Sequence, residues 1–336
     1  SEDNALLRGD ADERLREKYR EVLPLLPLMK ELKDLRLALR KGRGAPDLDS
    51  PESKLVIGPD GRTAEVLPRV SGEAESIIEE FMLLANEAAA TLARGLAIPF
   101  VYRVHEHPDP ERMGTLRETL RKLGLSARSL PEKPKPSDLA QLLEEGKDGP
   151  FSHILNRLVL RSMAKARYSD QPLGHYGLVL ENYAHFTSPI RRYPGLAIHR
   201  ILTDWADGVS VRELCRKYGR FAAAAAAHSS ETEVQATEIE RDCEDCYKAE
   251  YMRGKIGEEF DGVISSVTSF GFYVALPSTV EGLVKLEDLP DGEYSFDGLI
   301  ELSDVHSGRK FRLGDPVRVR CTGADVNAGN VDFALV

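Results

Sequence analysis

The feature that most constrains this fold is an abrupt change of sequence texture near Gly254. Residues 211–253 read as helix throughout, including the run Ala222–Ala227. Beyond them, β-branched and aromatic residues come in short runs: Phe260–Val267, Phe270–Leu276, Val280–Leu286, Pro316–Cys321 and Val331–Leu335. Glycine and proline turns part these runs, and five short strands in roughly 80 residues predict a small Greek-key β-barrel. The boundary is expected at 253–256, giving one domain at 1–253 and a second at 254–336. At 336 residues, the chain is long enough for each to bury its own core.

Upstream, residues 5–41 carry leucines at helical spacing, among them Leu28, Leu32, Leu35 and Leu39. Pro24 and Pro27 interrupt the pattern, so two helices are expected, ended by Gly42, Gly44 and Pro46. Lys54–Ile57 and Ala64–Leu67, on either side of Pro59-Asp60-Gly61, predict a β-hairpin. A helix follows from about Glu73 to Arg94, with Ile77, Phe81, Leu84 and Ala88 on one face. Ile98–Val104 reads as a buried strand; 109–124, 138–145 and 150–166 read as helices. The expected class is α+β, a mixed α/β domain followed by the barrel.

Charge is uneven. The net charge is −10, yet residues 151–205 hold seven cations against three carboxylates, a local excess of +4. Phosphate binding is expected in that stretch. No apolar run approaches the ~20 residues that span a bilayer. The polar start Ser1-Glu2-Asp3-Asn4 shows no targeting peptide, and four cysteines are too few for a disulfide framework, so a cytoplasmic protein is expected.

The densest motif runs from Gly174-His175-Tyr176-Gly177 to Tyr183-Ala184-His185-Phe186-Thr187-Ser188-Pro189-Ile190-Arg191-Arg192-Tyr193-Pro194. Thr187 or Ser188 can cap a helix with Pro189 at its first position, turning free N–H groups toward an anion. Arg191 and Arg192 add forked donors suited to phosphate, and Tyr193 a ring for stacking. Pro194 predicts a kink or a second helix start. The plain alternative is a capped surface helix with solvated arginines.

This stretch resembles the end of the catalytic domain in the ribonuclease II/ribonuclease R (RNB) family. The same order of motifs continues through Arg43-Gly44-Ala45, Ile78-Glu79-Glu80-Phe81-Met82-Leu83-Leu84-Ala85-Asn86, Arg103-Val104-His105, Leu160-Arg161-Ser162-Met163, His228-Ser229-Ser230-Glu231-Thr232-Glu233 and Glu240-Arg241-Asp242. The barrel, with Gly262–Val267 and Phe270-Gly271-Phe272-Tyr273-Val274, resembles an S1 RNA-binding domain of the oligonucleotide-binding class. The resemblance implies hydrolytic 3′→5′ degradation of single-stranded RNA to nucleoside 5′-monophosphates, with Mg2+ as cofactor. It places Arg191 on the phosphate near the scissile bond, Glu80 on the terminal ribose, and Glu240 at a position affecting turnover, although Glu240 also reads as an ion-pair partner for Arg241. A 2′-hydroxyl donates, so a carboxylate is a sensible partner for it. Phe270, Phe272 and Tyr273, with Phe260 nearby, are the barrel's stacking candidates; strand alternation puts one or two of them in the core.

Two-metal hydrolysis needs a carboxylate cluster. The family carries it upstream of every motif matched here. Asp10, Asp12 and Glu13 are a look-alike at an ordinary helix start, and Asp47 and Asp49 match no family ligand. Ser1 therefore reads as a break inside the catalytic domain, and the missing N-terminal half of that domain becomes the expected partner. The competing reading is a non-catalytic RNA-binding or scaffolding derivative. Two departures favour it: Leu48 stands where the family commonly has a stacking phenylalanine, and Gly195 where it has aspartate. The barrel has seven Lys/Arg and fourteen Asp/Glu from residue 254 on, with Lys285 where many S1 domains have histidine, so weak, salt-tolerant RNA binding is expected of it. Cys243 and Cys246 lack a second pair for zinc, and His105, His107, His175, His185 and His199 read as packing or hydrogen-bonding residues.

Overall fold

The computed structural model describes residues 2–48, 52–126, 130–149 and 151–336; Ser1 and Asp49, named above, lie outside them. The first forty residues form three helices rather than two: α1 (Glu2–Arg8), α2 (Glu13–Lys18) and α3 (Leu26–Gly42). Gly9 at φ +84° ends α1, and the Asp12 carboxylate caps α2 by accepting from Leu15 N at 2.7 Å. Asp10 pairs with Arg8, so this acidic run serves a helix boundary. Pro27 lies in the first turn of α3, where its missing N–H costs nothing, and starts the helix instead of interrupting it.

β1 (Ser53–Ile57) and β2 (Thr63–Pro68) form the expected hairpin, whose Val66 packs into the barrel's core. α4 (Glu73–Leu96) buries Ile77, Glu80, Asn86, Ala89, Ala90 and Ala93. Of the apolar row expected on one face, Ile77 is buried, Phe81 and Leu84 are half-buried and Ala88 is exposed. α4 is gripped from several sides, by α1, by α3 and by the segment at Tyr183–Thr187, and two of its buried positions are polar for that reason. The Ile98–Val104 run is buried at Ile98, Phe100, Val101, Tyr102 and Val104, but only β3 (Tyr102–Val104) is strand, paired with β4 (Arg167–Ser169). Its apolarity reported burial, not strand length. Between these strands α5 (Pro110–Lys122), α6 (Pro136–Gly146) and α7 (Ser152–Ser162) pack through Met113, Leu120, Leu139, Leu155 and Val159. Leu48 leans half-buried on that cluster.

α8 (Tyr193–Ala206) lies on α9 (Val211–Arg253), 43 residues long and thus ~65 Å. Ser210 caps α9 with Glu213 in a reciprocal box. Its first third buries Leu214, Tyr218, Ala222, Ala225 and Ala226 against the β3–β4 region, the small alanines allowing close approach. Its end buries Ala249 and Met252 in the barrel core, so one helix spans both domains, while Val234–Cys243 between them is exposed.

The barrel consists of β5 (Glu259–Thr268), β6 (Gly271–Ala275), β7 (Glu281–Lys285), β11 (Pro316–Asp325) and β12 (Asn330–Leu335), closed in the order β11-β12-β7-β6-β5. The β12–β7 pair is parallel and the others antiparallel. A further three-stranded sheet, β8 (Tyr294–Phe296), β9 (Glu301–Asp304) and β10 (Lys310–Arg312), was not expected from the sequence. Its strands are too short to carry a period, and Asp304 anchors the loops around it by accepting from Glu293 N, His306 N and Ser307 N. Among the described residues no helix is long and apolar enough to cross a membrane.

Candidate functional site

Asn86, on the buried side of α4, organises the site. Its Oδ1 accepts from Phe186 N at 2.8 Å, Thr187 N at 3.0 Å and Thr187 Oγ1 at 3.2 Å, while its Nδ2 donates to the Tyr183 hydroxyl at 3.2 Å. One amide thus folds the His185–Ser188 segment against the helix. His199 stacks on Phe186 at 4.4 Å and donates to its carbonyl at 2.9 Å, holding the segment from the α8 side.

No helix begins at Pro189. Residues 189–191 form a turn, and α8 starts at Tyr193 with Arg192 as its N-cap. Pro194 has no N–H to continue a ladder from Ile190, so the helix starts afresh with proline in its first turn. The Gly195 and Leu196 amides donate to the Arg192 carbonyl, so the anion-binding capacity of this segment rests on the Arg191 and Arg192 side chains. Gly195 has a local reason: a Cβ there would meet the His185 carbonyl at 2.9 Å and Pro189 Cα at 3.1 Å. The turn lies directly on it, leaving no room for an aspartate.

Between this segment and α4 is a cleft of about 490 Å3. One wall is a single helical stripe, Glu75, Ile78, Glu79, Met82, Leu83 and Asn86. The other carries Tyr183, His185, Thr187, Ser188, Arg191 and Arg192. Neither arginine is ion-paired to a carboxylate among the described residues. Behind the wall Arg103 pairs with Glu233 and lies 4.7 Å over the Tyr168 ring, whose hydroxyl is 2.9 Å from His185 Nδ1.

Burial first, then the charges of Arg192 and Arg103, push the His185 imidazole down to about 2. Burial, then His105 and Arg103, push His175 to about 3. Both rings are neutral in the fold and take up a proton near pH 6.5 once unfolded. Their contribution to stability is complete above about pH 6.5 and is lost as pH falls, by up to roughly 1.4 kcal/mol per pH unit for each ring. The urea midpoint is therefore expected to drop between about pH 7 and 5, and His185→Gln to flatten that drop. A midpoint unchanged over this range would contradict the buried neutral rings.

The structure gathers some of the residues singled out from sequence and disperses others. Arg191 and Arg192 line the cleft, while half-exposed Tyr193 is not on its walls. Glu80 is 2% exposed and turned toward α3, with Arg40 Nη1 3.0 Å away in an ion pair that lacks hydrogen-bond alignment and Arg36 at 4.0 Å. Its neighbour Glu79 faces the cleft instead. Glu240 lies on the exposed stretch of α9, outside the cleft. In the barrel, Phe272 is a core residue and no stacking platform: strand alternation turns it inward, fully buried. Phe270 is exposed in the β5–β6 turn, Tyr273 is half-buried, and Phe260 packs against the barrel core. Lys285 pairs with Asp332. Asn86 and Glu79 lie inside the Ile78–Asn86 motif, where nothing in motif order alone marks them as site residues. The 75-78-79-82-83-86 spacing would have found both, and a polar Asn within an apolar helix face is a signal in itself.

A divalent cation fits this cleft poorly. Mg2+ needs free oxygen ligands. Of the three carboxylates that line it, Glu75 accepts from Gly72 N and Asn4 Nδ2, Glu79 lies 3.4 Å from Arg40, and Asp3 alone has no partner among the described residues, while two arginines stand opposite. Among the described residues no group of three or more His, Cys, Asp or Glu is placed to hold a metal.

Residues 2–208 match the RNB domain, and residues 254–335 match the S1 RNA binding domain. The chain belongs to the RNB family. The RNB match contains the whole cleft and stops before α9. Among curated proteins the chain is 36% identical to Ribonuclease R 1 of Lactococcus lactis over 98% of its length, and 39% identical to Ribonuclease R of Aquifex aeolicus over 99%. It spans only 40% and 47% of those two proteins. The fold superposes on Mycoplasma genitalium RNase R in complex with ribose methylated single-stranded RNA with a TM-score of 0.90 and 28% identity, covering 99% of this chain and 52% of that one. The RNB resemblance and the RNB-then-S1 architecture expected from sequence both hold.

Proposed function

We propose that this chain is the RNA-gripping part of a hydrolytic 3′→5′ exoribonuclease that releases nucleoside 5′-monophosphates. In this reading residues 1–253 are the C-terminal portion of the catalytic domain and 254–336 the S1 barrel. The observation that carries it is the pair Arg191 and Arg192, neither ion-paired to a carboxylate among the described residues, on one wall of a cleft inside the RNB match. Forked guanidiniums opposite a helix stripe suit the phosphates of a single strand. Arg191 holds the phosphate beside the scissile bond, and Glu79, not Glu80, accepts from the terminal ribose hydroxyl. Phe270 and Tyr273 offer the barrel's rings to bases. We place the protein in the cytoplasm, a reading supported by four free cysteines.

The chemistry Mg2+ supplies, a nucleophilic water and neutralised phosphate charge, is assigned to carboxylates outside this chain. We assign them to the part of the relatives' length that this chain does not span. Support comes from α3, whose inner face is ion-paired to α4 through Lys33, Arg36 and Arg40, while Leu25, Leu28, Leu32, Leu35 and Leu39 stand 38–61% exposed on the other. Leucines at alternating three- and four-residue steps form an apolar seam made for packing. On α9, Val234, Ile239 and Glu240 are exposed as well, and Glu240 acts in turnover only once the missing part brings the reaction centre to it.

The test mixes this chain with a recombinant N-terminal companion. Co-elution and Mg2+-dependent exonuclease activity are expected, both lost in Leu32→Asp/Leu35→Asp, whose own melting temperature stays unchanged because the side chains are exposed. Co-elution without any activity would favour the non-catalytic scaffold. Unimpaired assembly of the double variant would remove the seam from the account.

A further inference from the structure

The His228–Glu233 motif lies on α9, outside the cleft, and two of its side chains fix Tyr168 at both ends. Ser230 Oγ accepts from Tyr168 N at 2.9 Å, and Glu233 Oε1 accepts from the Tyr168 hydroxyl at 3.3 Å. Three residues apart, they share one face of the helix. Arg103 pairs with the other oxygen of Glu233 and lies over the Tyr168 ring, so carboxylate and phenol are held together.

This arrangement decides where one proton sits on His185. A phenol has a single proton to give. The Arg103-paired carboxylate is a stronger acceptor than an imidazole nitrogen, so that proton goes to Glu233. Burial pushes Tyr168 up to about 12, and the bond to Glu233 acts in the same sense, so the phenol keeps its proton. The Tyr168 oxygen is then an acceptor, and His185 Nδ1, 2.9 Å away, is the donor. With Nδ1 protonated and the ring neutral, Nε2 is a bare acceptor. It has no hydrogen-bond partner among the described residues. Nor is it sealed in, since the buried side-chain atoms left without partners there are Arg36 Nε, Glu80 Oε1 and Ser229 Oγ. His185 lines the cleft, and Nε2 opens on it.

A bare acceptor selects what it can meet. It repels phosphate oxygens, which accept as well. A cation is disfavoured by Arg192 and Arg103, whose charges already act on the ring. What fits is a donor carried beside a phosphate. In RNA, every phosphate held by Arg191 or Arg192 has a ribose hydroxyl next to it, whereas the N–H groups of bases change with sequence.

We infer that His185 is a specificity-determining residue whose Nε2 accepts from a ribose hydroxyl, and that Tyr168 and Glu233 are positioning residues that set its tautomer. The inference rests on the RNA reading of the cleft and deepens it.

Two measurements on the whole chain test this. In 15N-histidine NMR spectra, with the His185 signals identified by their loss in His185→Phe, the parent is expected to show the Nδ1–H form. Tyr168→Phe, which removes one hydroxyl and keeps the ring, should shift His185 toward the Nε2–H form. A parent ring protonated at Nε2 overturns the inference. Fluorescence anisotropy then compares labelled oligouridine with oligodeoxyuridine. His185→Phe is expected to cut the preference for the ribose strand about fivefold, one net hydrogen bond's worth, and to leave the deoxyribose Kd unchanged. Tyr168→Phe should cut the preference less, and His185→Gln, whose amide oxygen can stand in for Nε2, should restore part of it. Equal weakening of both strands by His185→Phe indicates a base contact or lost packing and overturns the inference. If Arg191→Ala weakens binding while the ribose preference survives His185→Phe, the role of His185 falls and the RNA reading stands. A parent chain that binds neither strand removes both.

Discussion

Asn86→Ala is expected to cost on the order of 3 kcal/mol of stability and to release the segment that carries Arg191. The side chain is 3% exposed, and its Oδ1 is the acceptor for two backbone N–H groups and the Thr187 hydroxyl. Alanine would leave those donors buried without partners and open a void beside Tyr183, each a named route to large destabilisation. The functional loss should be larger than the loss of fold, because a displacement of about 1 Å in a positioning element can cost ~100-fold. Asn86→Asp keeps the acceptor oxygen but loses the Nδ2–H donated to Tyr183, so it should recover part of the stability. Urea unfolding and RNA affinity measured on both variants check this; an alanine variant as stable and as tight-binding as the parent would remove Asn86 from the centre of the site.

Arg191→Ala is expected to lower kcat about 100-fold in the enzyme reassembled with its companion, the scale seen when one preorganised donor to a developing charge is removed. Arg94→Ala is the comparison. Arg94 bonds Glu181 and Asn182 at the surface, and its loss should change turnover less than about twofold. Arg191→Lys keeps the charge without the fork and should fall between them. Equal effects of the two alanine variants would remove Arg191 from its role on the phosphate.

Some of this was legible before any coordinates, for physical reasons. The barrel's strands announce themselves through β-branched and aromatic runs, and α9 through forty-three residues without a proline. The β8–β10 sheet did not, because three- and four-residue strands carry no period and Asp304, not an apolar pattern, organises them. Pro189 and Pro194 both satisfy the rule for a helix start; only the packing of the turn on Gly195 selects the second. Adjacent residues on a helix point about 100° apart, so Glu79 and Glu80 are alike in sequence, yet one lines the cleft and the other is buried against α3. Phe272 and Tyr273 differ in the same way across a strand, where one step exchanges core for surface. The family was readable from motif order, whereas the orientation of each side chain needed the fold.

We propose that this chain grips RNA while the bond-breaking metal is held by residues outside it. Incubating the isolated chain with 3′-labelled single-stranded RNA and Mg2+, and measuring binding and release of labelled nucleoside monophosphate together, tests this. Saturable binding weakened by Arg191→Ala is expected, with no release until the recombinant N-terminal part is added. Stepwise release of monophosphate by the isolated chain would contradict it.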